Sequence, residues 1–555
     1  MKKVKKLLAM IMAMTMVLGM GTLSLAKTPG NDNVYGTEDD RGSISVEGID
    51  YEAGITVNAY QIIEAVYDQT NGNFTGYHPL YTGITQNSST GDYEVTETTL
   101  NSIFADIKGE SPSVNPERKY EMTYSDGKYA NSSVPVGSYL VIIEGAETKV
   151  YNPVVVSAAY IVTDGENDIE DKVLDIEENP GWVKVSNVPT IDKTVSDTSG
   201  KTETDEKGNS VNVGDNVTYE VTIDPIPNYG GDYPVLNVVD NLSRGLSFNA
   251  ESLSVKVIDS VTENETTLTQ GTGYTLTTEE ELEAQDIEGT FKVDFVVGGQ
   301  YTLNSYVGDK VVITYTAEVT EEALVNEDGN NNDATLNYTT DSKTTENDDT
   351  DKSKTYTYTF DIDGSTTGTE GIITKTGEGT DEESLQGAVF GLYTDENCET
   401  AYTNDSGTLT TYVKNGETLV NTANTVTSDA NGQLYISGLA AGTYYLKELY
   451  APEGYSVNTH VFKIEINATY NDDGTLNNWE VKIDRAIAAT FTVDHTSGTP
   501  VTTPAITGEE IQNTKIPSLP STGGIGTTIF TIGGCAIMIA AAALYFVNRR
   551  KSEEN

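Results

Sequence analysis

Basic side chains, histidine and cysteine are all scarce in this chain of 555 residues. Lys and Arg together number 33 against 85 Asp and Glu, which gives a formal net charge of −52. A nucleic-acid-binding surface needs positive charge against the phosphates, so this balance excludes a nucleic-acid partner. It also excludes attachment to anionic lipid through a polybasic patch.

The few histidines and cysteines exclude further classes of protein. The chain has three histidines, none beside a cysteine or a second histidine, so neither a His-ligated zinc site nor a Ser-His-Asp hydrolase is expected. Cys398 and Cys535 cannot build a disulfide framework. We therefore expect no metal, no cofactor and no enzyme acting on an external substrate. The acidic clusters at 164–171 and 327–333 lack EF-hand spacing and are interpreted as solvated turns, with calcium binding as the alternative.

The N-terminus has the pattern of a secretory signal peptide. Residues 1–26 read MKKVKKLLAMIMAMTMVLGMGTLSLA, with four lysines before an apolar stretch and small residues at Ser24 and Ala26. This pattern predicts cleavage after Ala26 and export of the mature chain. A retained membrane helix is the alternative.

The C-terminus carries a second apolar segment. Residues 525–547 are 23 residues without a charge, enough to span a bilayer of about 30 Å. The basic residues after them keep the tail on the cytoplasmic side. Just before the segment the chain reads Leu519, Pro520, Ser521, Thr522, Gly523. This order resembles the cell-wall sorting signal of Gram-positive surface proteins, which implies that a sortase cuts after Thr522 and that the chain ends on peptidoglycan.

Between these ends, alternation of apolar and polar residues predicts an all-β chain. Runs such as VTYEVTI (217–223) and VVITYTA (311–317) are separated by Asn, Asp and Gly turns, which is typical of antiparallel β-sandwiches. Only Leu100–Lys108 and Thr278–Ala284 are predicted as short helices. The acidic Thr/Ser/Asp stretch 340–355 is predicted to be locally disordered.

The chain divides into three predicted units between its processed ends. The N-terminal unit is placed at 27–185, the second at 186–365 and the third at 366–515, followed by the sorting signal, apolar segment and basic tail at 516–555.

The second and third units resemble known domain families. The second has PTIDKTV (189–195), VGDNVTYEVTI (213–223), VVDNLSRGLSF (238–248) and VVITYTAEVTEEA (311–323), and resembles the isopeptide-forming domain of Gram-positive fimbrial subunits. The third has LQGAVFGLY (385–393) and GQLYISGLAAGTYYLKELYAPEGY (432–455), and resembles the collagen-binding-protein B-type domain.

Together with the sorting signal, these motifs resemble a sortase-assembled major pilin of the SpaA type. The resemblance implies tandem immunoglobulin-like and prealbumin-like β-sandwiches. The first unit, with VGSY (136–139) and YNPV (151–154), resembles the N-terminal domain of major pilins more loosely.

The resemblance also implies an internal covalent bond in each of these two units. A buried, neutral lysine amine can attack an asparagine amide that a protonated carboxyl polarises, releasing ammonia. The matching positions are Lys193, Asn332 and Asp240 in the second unit, and Lys375, Asn513 and Glu448 in the third. Asn330 and Asn331 adjoin Asn332, so a small error of register is the alternative there, but the alternation through Ala334, Leu336 and Tyr338 favours Asn332. The alternative for each lysine is an ordinary exposed strand residue.

A pilus subunit also needs a lysine that accepts the sortase-cleaved end of the next copy. The junction PGWVKVSNVP (180–189) contains a Trp and a lysine but lacks the family's Tyr-Pro-Lys. Lys184 is therefore the first candidate and Lys172 the second, and an uninvolved hinge lysine is the alternative. Head-to-tail joining through Thr522 gives an open filament.

The sequence thus predicts a structural pilus shaft subunit. Its expected partners are a sortase, neighbouring copies of itself, accessory pilins, peptidoglycan and a host matrix ligand. The alternative is a wall-anchored adhesin or accessory pilin that binds host matrix or glycan through residues 27–185.

Overall fold

The computed structural model describes residues 15–18, 36–70, 72–88, 92–108, 118–163, 173–197, 207–229, 235–326, 329–340, 349–362, 371–379, 383–403, 413–414, 417–418, 424–496, 500–516 and 526–552. Strands dominate these residues, so the predicted all-β fold class is confirmed. The two predicted short helices are also present, the first beginning at Glu97 rather than Leu100 and the second spanning Glu279–Glu283.

The N-terminal part is built around one central strand. Its elements are β1 (Thr15–Leu18), β2 (Arg41–Glu47), β3 (Thr56–Tyr67), β4 (Phe74–Pro79), β5 (Thr85–Gln86), β6 (Tyr93–Thr96), α1 (Glu97–Lys108), β7 (Lys119–Glu121), β8 (Thr123–Ser125), β9 (Lys128–Pro135), β10 (Gly137–Glu144), β11 (Lys149–Tyr151), β12 (Val154–Thr163), β13 (Val173–Asn179), β14 (Gly181–Trp182) and β15 (Val185–Asn187). One sheet has the order β13-β12-β10-β3-β4 with β7 beside β3, and another has the order β14-β2-β9-β8.

Strand β10 is covered on both faces, as its nearly continuous apolar run GSYLVIIE requires. Leu140 and Ile142 enter one buried apolar cluster, whereas Tyr139 and Val141 enter another. Strand β1 lies inside the predicted signal peptide and pairs with β6, so the chain cleaved after Ala26 would lack it.

The middle part is a two-sheet sandwich. Its elements are β16 (Thr190–Asp197), β17 (Gly208–Ser210), β18 (Asn216–Asp224), β19 (Leu236–Leu242), β20 (Leu246–Ile258), β21 (Glu265–Thr267), β22 (Thr275–Thr278), α2 (Glu279–Glu283), β23 (Phe291–Asp294), β24 (Val296–Val297), β25 (Gln300–Tyr301), a 3₁₀ turn (Asn304–Tyr306), β26 (Lys310–Val319), β27 (Asn330–Tyr338) and β28 (Asp349–Tyr358). The sheet β16-β18-β26-β20-β21 packs on the sheet β17-β28-β27-β19-β23-β22, and inward-facing residues of both form one core.

Strand β28 corrects the prediction of disorder for 340–355. Residues 349–355 are part of this strand, which pairs antiparallel with the whole of β27. Thr355 and Thr357 are fully buried. The acidic composition suggested disorder, but the β-branched threonines suit a strand whose neighbour is already in place. The prediction was therefore wrong for this part of the segment.

The C-terminal part is a large antiparallel sheet closed by a separate strand pair. Its elements are β29 (Ile373–Gly377), β30 (Val389–Tyr393), β31 (Val413–Lys414), β32 (Glu417–Thr418), β33 (Thr425–Thr427), β34 (Gly442–Tyr450), β35 (Val461–Tyr470), β36 (Leu476–Ile483), β37 (Ala486–Asp494), β38 (Val501–Ile506) and β39 (Glu509–Asn513). The sheet order is β33-β30-β34-β35-β36-β37-β38, and β29 pairs in parallel with β39. Tyr358 at the end of β28 belongs to this core, so the strand reaches from the middle part into the C-terminal part.

The last described element is α3 (Gly526–Ser552), a single helix after the sorting motif. Its segment Ile529–Phe546 has 18 residues with a mean hydropathy of 2.1 and none of it is buried in the protein. Its length and composition are sufficient to cross a membrane.

Candidate functional site: two buried clusters of lysine, acid and asparagine

The first cluster lies between the two sheets of the middle sandwich. Lys193 is on β16 in one sheet, whereas Asp240 on β19 and Asn332 on β27 are in the other. All three side chains are 0% exposed. Alternation along each strand places these polar residues on the inward face, where apolar residues occupy the neighbouring positions.

A tyrosine completes this cluster. The Nζ atom of Lys193 lies 2.7 Å from Oδ2 and 2.9 Å from Oδ1 of Asp240. The hydroxyl of Tyr315, on β26, donates to Oδ2 of Asp240 at 2.9 Å. The same hydroxyl accepts a hydrogen bond from Nδ2 of Asn332 at 2.8 Å. Tyr315 therefore connects the acid to the asparagine, a role that the sequence motifs did not reveal.

Burial shifts the lysine and the acid of this cluster toward their neutral forms. Burial lowers the pKa of Lys193 to about 8, although the Asp240 charge opposes the change. Burial likewise raises the pKa of Asp240. An uncharged amine beside a protonated carboxyl is the combination that amide formation requires.

The structure distinguishes among the three neighbouring asparagines. Asn331 points away from the core and donates to Asp333. Asn330 is buried, but its amide bonds the backbone of Leu324 and of Thr357. Asn332 alone of the three joins the cluster, and among the described residues its Oδ1 atom has no hydrogen-bond partner.

The second cluster lies where the first and last strands of the C-terminal part run side by side. Lys375 is on β29 and Asn513 on β39, and Nζ of the lysine lies 2.5 Å from Oδ1 of the asparagine. Nζ also donates to the carbonyl of Ile511 at 2.9 Å. Glu448 on β34 accepts from Nδ2 of Asn513 at 2.8 Å through Oε1. The three side chains of the cluster are at most 2% exposed.

Two further groups support the second cluster. Burial lowers the pKa of Lys375 to about 8, with the nearby Glu448 carboxylate opposing the change. Nζ lies 5.9 Å from the centre of the Phe390 ring. The backbone N–H of Asn458 donates to Oε2 of Glu448 at 2.6 Å, which fixes the carboxyl so that its other oxygen faces the asparagine. The sequence reasoning did not identify either contact.

The remaining predicted site residues are not part of these clusters. Lys184 lies between β14 and β15 and is exposed. Lys172 and the motif residues Leu519, Pro520, Ser521, Thr522 and Gly523 lie outside the described residues. No group of three or more metal-binding side chains occurs within the described parts of the chain.

Comparisons with known proteins agree with this architecture. Residues 369–480 match the SpaA prealbumin-like fold domain, and residues 511–554 match the LPXTG cell wall anchor motif. The trypsin-resistant surface T6 protein of Streptococcus pyogenes serotype M6 is 25% identical over 570 residues, which cover 93% of this chain and 96% of that protein.

Two solved structures are similar at lower identity. The T6 backbone pilin of serotype M6 Streptococcus pyogenes is 20% identical with a TM-score of 0.48, covering 87% of this chain and 100% of that one. The full-length major pilin SpaD of Corynebacterium diphtheriae is 17% identical with a TM-score of 0.42, covering 87% and 98%. The chain is thus a cell-wall-anchored surface protein that carries a SpaA-type prealbumin-like domain beside its LPXTG anchor and is homologous, over nearly its whole length, to the streptococcal T6 surface protein.

Proposed function

We propose that this protein is the structural shaft subunit of a covalently polymerised, sortase-assembled pilus, with one internal lysine-asparagine bond in each of its second and third units. The observation that carries the proposal is that two lysines are fully buried, each beside a buried carboxyl and a buried asparagine. Burying a lysine without a chemical reason is costly, because its charge loses water. The LPXTG anchor and the homology to the T6 surface protein support attachment of the chain to the cell wall by a sortase.

The internal reaction balances without an external reagent. The neutral Nζ atom attacks the amide carbon of the asparagine, a new N–C bond forms, and the old C–N bond breaks. One proton moves from Nζ to the leaving nitrogen, and the nitrogen departs as ammonia. The acid accepts and returns that proton, so it is unchanged at the end.

The two bonds would replace the disulfides that the chain lacks. The link in the middle part joins its first strand, β16, to β27, and the link in the C-terminal part joins the first and last strands, β29 and β39. They close loops of 332 − 193 = 139 and 513 − 375 = 138 residues. A cross-link that closes a loop of this size lowers the conformational entropy of the unfolded chain. On the entropic estimate this raises the free energy of unfolding by about 4–5 kcal/mol. Unlike a disulfide, an amide cannot be reduced, and tension at the ends of the unit passes through it.

The proposal assigns Lys184 as the acceptor of the neighbouring copy's Thr522 carboxyl, with Lys172 as the second candidate. Lys184 is exposed on a backbone that hydrogen bonds hold on both sides. The N–H of Asn152 donates to the carbonyl of Lys184 at 2.9 Å, and the N–H of Val183 donates to the carbonyl of Glu47 at 2.9 Å. An accessible amine on a backbone held in this way suits a transpeptidase that must bring two chains together.

Immunoblots of wall extracts test the shaft assignment. A shaft subunit gives a ladder of high-mass species, and Lys184→Ala abolishes it. Lys149→Ala is the matched control, because Lys149 is a nearby lysine whose Nζ bonds Asn187. A single wall-bound band from the unaltered protein would instead favour the adhesin or accessory pilin. A ladder that persists in Lys184→Ala would reject Lys184 alone.

Intact mass tests the internal bonds. The processed chain should weigh less than its sequence by about 17 Da for each ammonia lost. Peptide mapping should recover Lys193 joined to Asn332, and Lys375 joined to Asn513. An unshifted mass would reject both bonds.

A further inference from the structure

The two clusters differ in how the acid reaches the asparagine nitrogen. In the C-terminal cluster, Oε1 of Glu448 contacts Nδ2 of Asn513 directly at 2.8 Å. In the middle cluster, the contact runs from Asp240 to the Tyr315 hydroxyl and on to Nδ2 of Asn332, at 2.9 and 2.8 Å. Aspartate is one methylene shorter than glutamate, and the tyrosine hydroxyl fills the distance that the shorter acid leaves.

We propose that Tyr315 is a catalytic residue that relays a proton from Asp240 to Nδ2 of Asn332 while the Lys193–Asn332 bond closes. The inference rests on the proposed internal bond and deepens it by assigning the path of the proton. Tyr315 is suited to this step because its hydroxyl touches both the acid and the atom that must leave.

The direction of the relay follows from the chemistry of the amide. A planar amide nitrogen has no basic lone pair, so Nδ2 donates to Tyr315 before the reaction, as the structure shows. When Nζ of Lys193 attacks, the amide carbon becomes tetrahedral and Nδ2 becomes basic. Both hydrogen bonds of the Tyr315 hydroxyl then reverse. The hydroxyl stops donating to Oδ2 of Asp240 and gives its proton to Nδ2, and its oxygen accepts a proton from Oδ2.

Each proton in this step has a donor and an acceptor. Asp240 passes the proton on Oδ2 to the tyrosine oxygen, and Oδ1 takes a proton from Nζ, which lies 2.9 Å away. Tyr315 and Asp240 both return to their starting states, and ammonia leaves. Burial raises the pKa of Tyr315 well above its ordinary value, so the hydroxyl holds its proton until the nitrogen becomes basic.

The surroundings of Tyr315 hold it in place for this role. Its ring packs on Tyr219 at 5.3 Å and against Phe291 at 5.0 Å. Nζ of Lys193 lies 5.6 Å from the centre of the same ring. A hydroxyl fixed by its ring contacts needs little reorganisation when charge moves.

The test is the rate of bond formation in freshly synthesised full-length chain, followed by acid quenching and mass spectrometry of the linked peptides. Tyr315→Phe should slow the Lys193–Asn332 bond on the order of 10²-fold, the usual range for loss of a positioned proton donor. The Lys375–Asn513 bond in the same molecule should close at its normal rate. Tyr301→Phe is the matched control, because Tyr301 is a buried tyrosine of the same core whose hydroxyl donates to the Pro227 carbonyl at 3.1 Å.

A second variant separates a relay from a packing role. Asp240→Glu combined with Tyr315→Phe lengthens the acid, as in the C-terminal cluster. This double variant should form the Lys193–Asn332 bond at least tenfold faster than Tyr315→Phe alone. The proposal is overturned if Tyr315→Phe closes its bond at the normal rate. It is equally overturned if the double variant forms the Lys193–Asn332 bond no faster than Tyr315→Phe does, whether or not the single variant folds fully. If the unaltered protein never links Lys193 to Asn332, the proposed bond itself fails, which is a distinct result.

Discussion

The two buried clusters use the same three functional groups in different arrangements. In the middle sandwich, Lys193 pairs with Asp240 at 2.7 Å, and the asparagine is reached through a tyrosine. In the C-terminal part, Lys375 contacts Asn513 at 2.5 Å, and Glu448 lies 3.8 Å from the lysine. The lysine is thus held by the acid in the middle cluster and by the asparagine in the C-terminal cluster.

The difference follows from where each cluster lies in its fold. Lys193 and Asn332 are on opposite sheets, so side chains from several strands fill the space between them. Lys375 and Asn513 are on adjacent parallel strands, whose spacing of about 4.8 Å brings the two side chains together. The shorter acid, Asp240, thus occurs where the lysine and asparagine lie on opposite sheets, and the longer acid, Glu448, where they lie on adjacent strands. Both clusters keep an amine, a carboxyl and an amide.

Removing either acid should have the largest effect, because it takes away the proton transfer group. Asp240→Ala should abolish the Lys193–Asn332 bond and leave the Lys375–Asn513 bond intact, and Glu448→Ala should do the reverse. Starting from the mass of the linked, unaltered protein and allowing for the substitution, each variant should be about 17 Da heavier, because it keeps one ammonia. Loss of both bonds in either variant would show that the clusters are not independent.

Shortening the longer acid should have the next largest effect. Glu448→Asp withdraws the carboxyl from Nδ2 of Asn513, and this cluster has no tyrosine hydroxyl among the described contacts of that nitrogen. We expect closure to slow by about 10- to 100-fold. Quenched time courses of the linked peptide measure it, and an unchanged rate would mean that direct contact is unnecessary.

Replacing each asparagine should reveal how well the remaining hydrogen-bond partners stabilise each buried lysine when no covalent bond forms. Asn332→Ala and Asn513→Ala both lose about 4–5 kcal/mol of cross-link stabilisation, since their loops are almost equal. Lys193 keeps Asp240 as a close partner, whereas Lys375 loses its nearest acceptor. Asn513→Ala should therefore cost a further ~1–2 kcal/mol. Hydrogen exchange of the strands in each part measures the difference, and equal losses would contradict it.

The smallest effect is a pH dependence of the unlinked variants. The folded-state pKa of each lysine is lowered to about 8, so above pH 8 the unfolded chain binds a proton that the folded chain does not. Stability of Asn332→Ala should therefore rise between pH 8 and 9.5 relative to the linked protein, whose lysine no longer titrates, by about 1 kcal/mol. Exchange rates at several pH values test this. If the linked protein instead gains stability over Asn332→Ala as the pH rises, the folded-state pKa of Lys193 is not lowered.

Much of this architecture could be predicted from the residues. Alternation predicted strands such as β18 and β26, and the resemblance of the second and third units to known domain families supplied both lysine-acid-asparagine sets. Alternation favoured Asn332 but could not exclude Asn330, because both side chains face inward. Only their hydrogen-bond partners differ. Tyr315 was visible as an inward residue of ITYTA, but its position between Asp240 and Asn332 depends on how two sheets pack. Strand β28 was not predicted, because its acidic composition indicated disorder. The strand forms because it pairs along its length with β27.

The burial of two lysines bears on the order of events in filament growth. Lys193 and Lys375 are 0% exposed, whereas Lys184 remains on the surface. All three amines are chemically alike, so a transpeptidase acting on an unfolded copy would meet them as competitors. Folding would bury two of them before a neighbouring copy is joined. In the proposed filament, burial of these two lysines would therefore favour the incorporation of copies that have already folded.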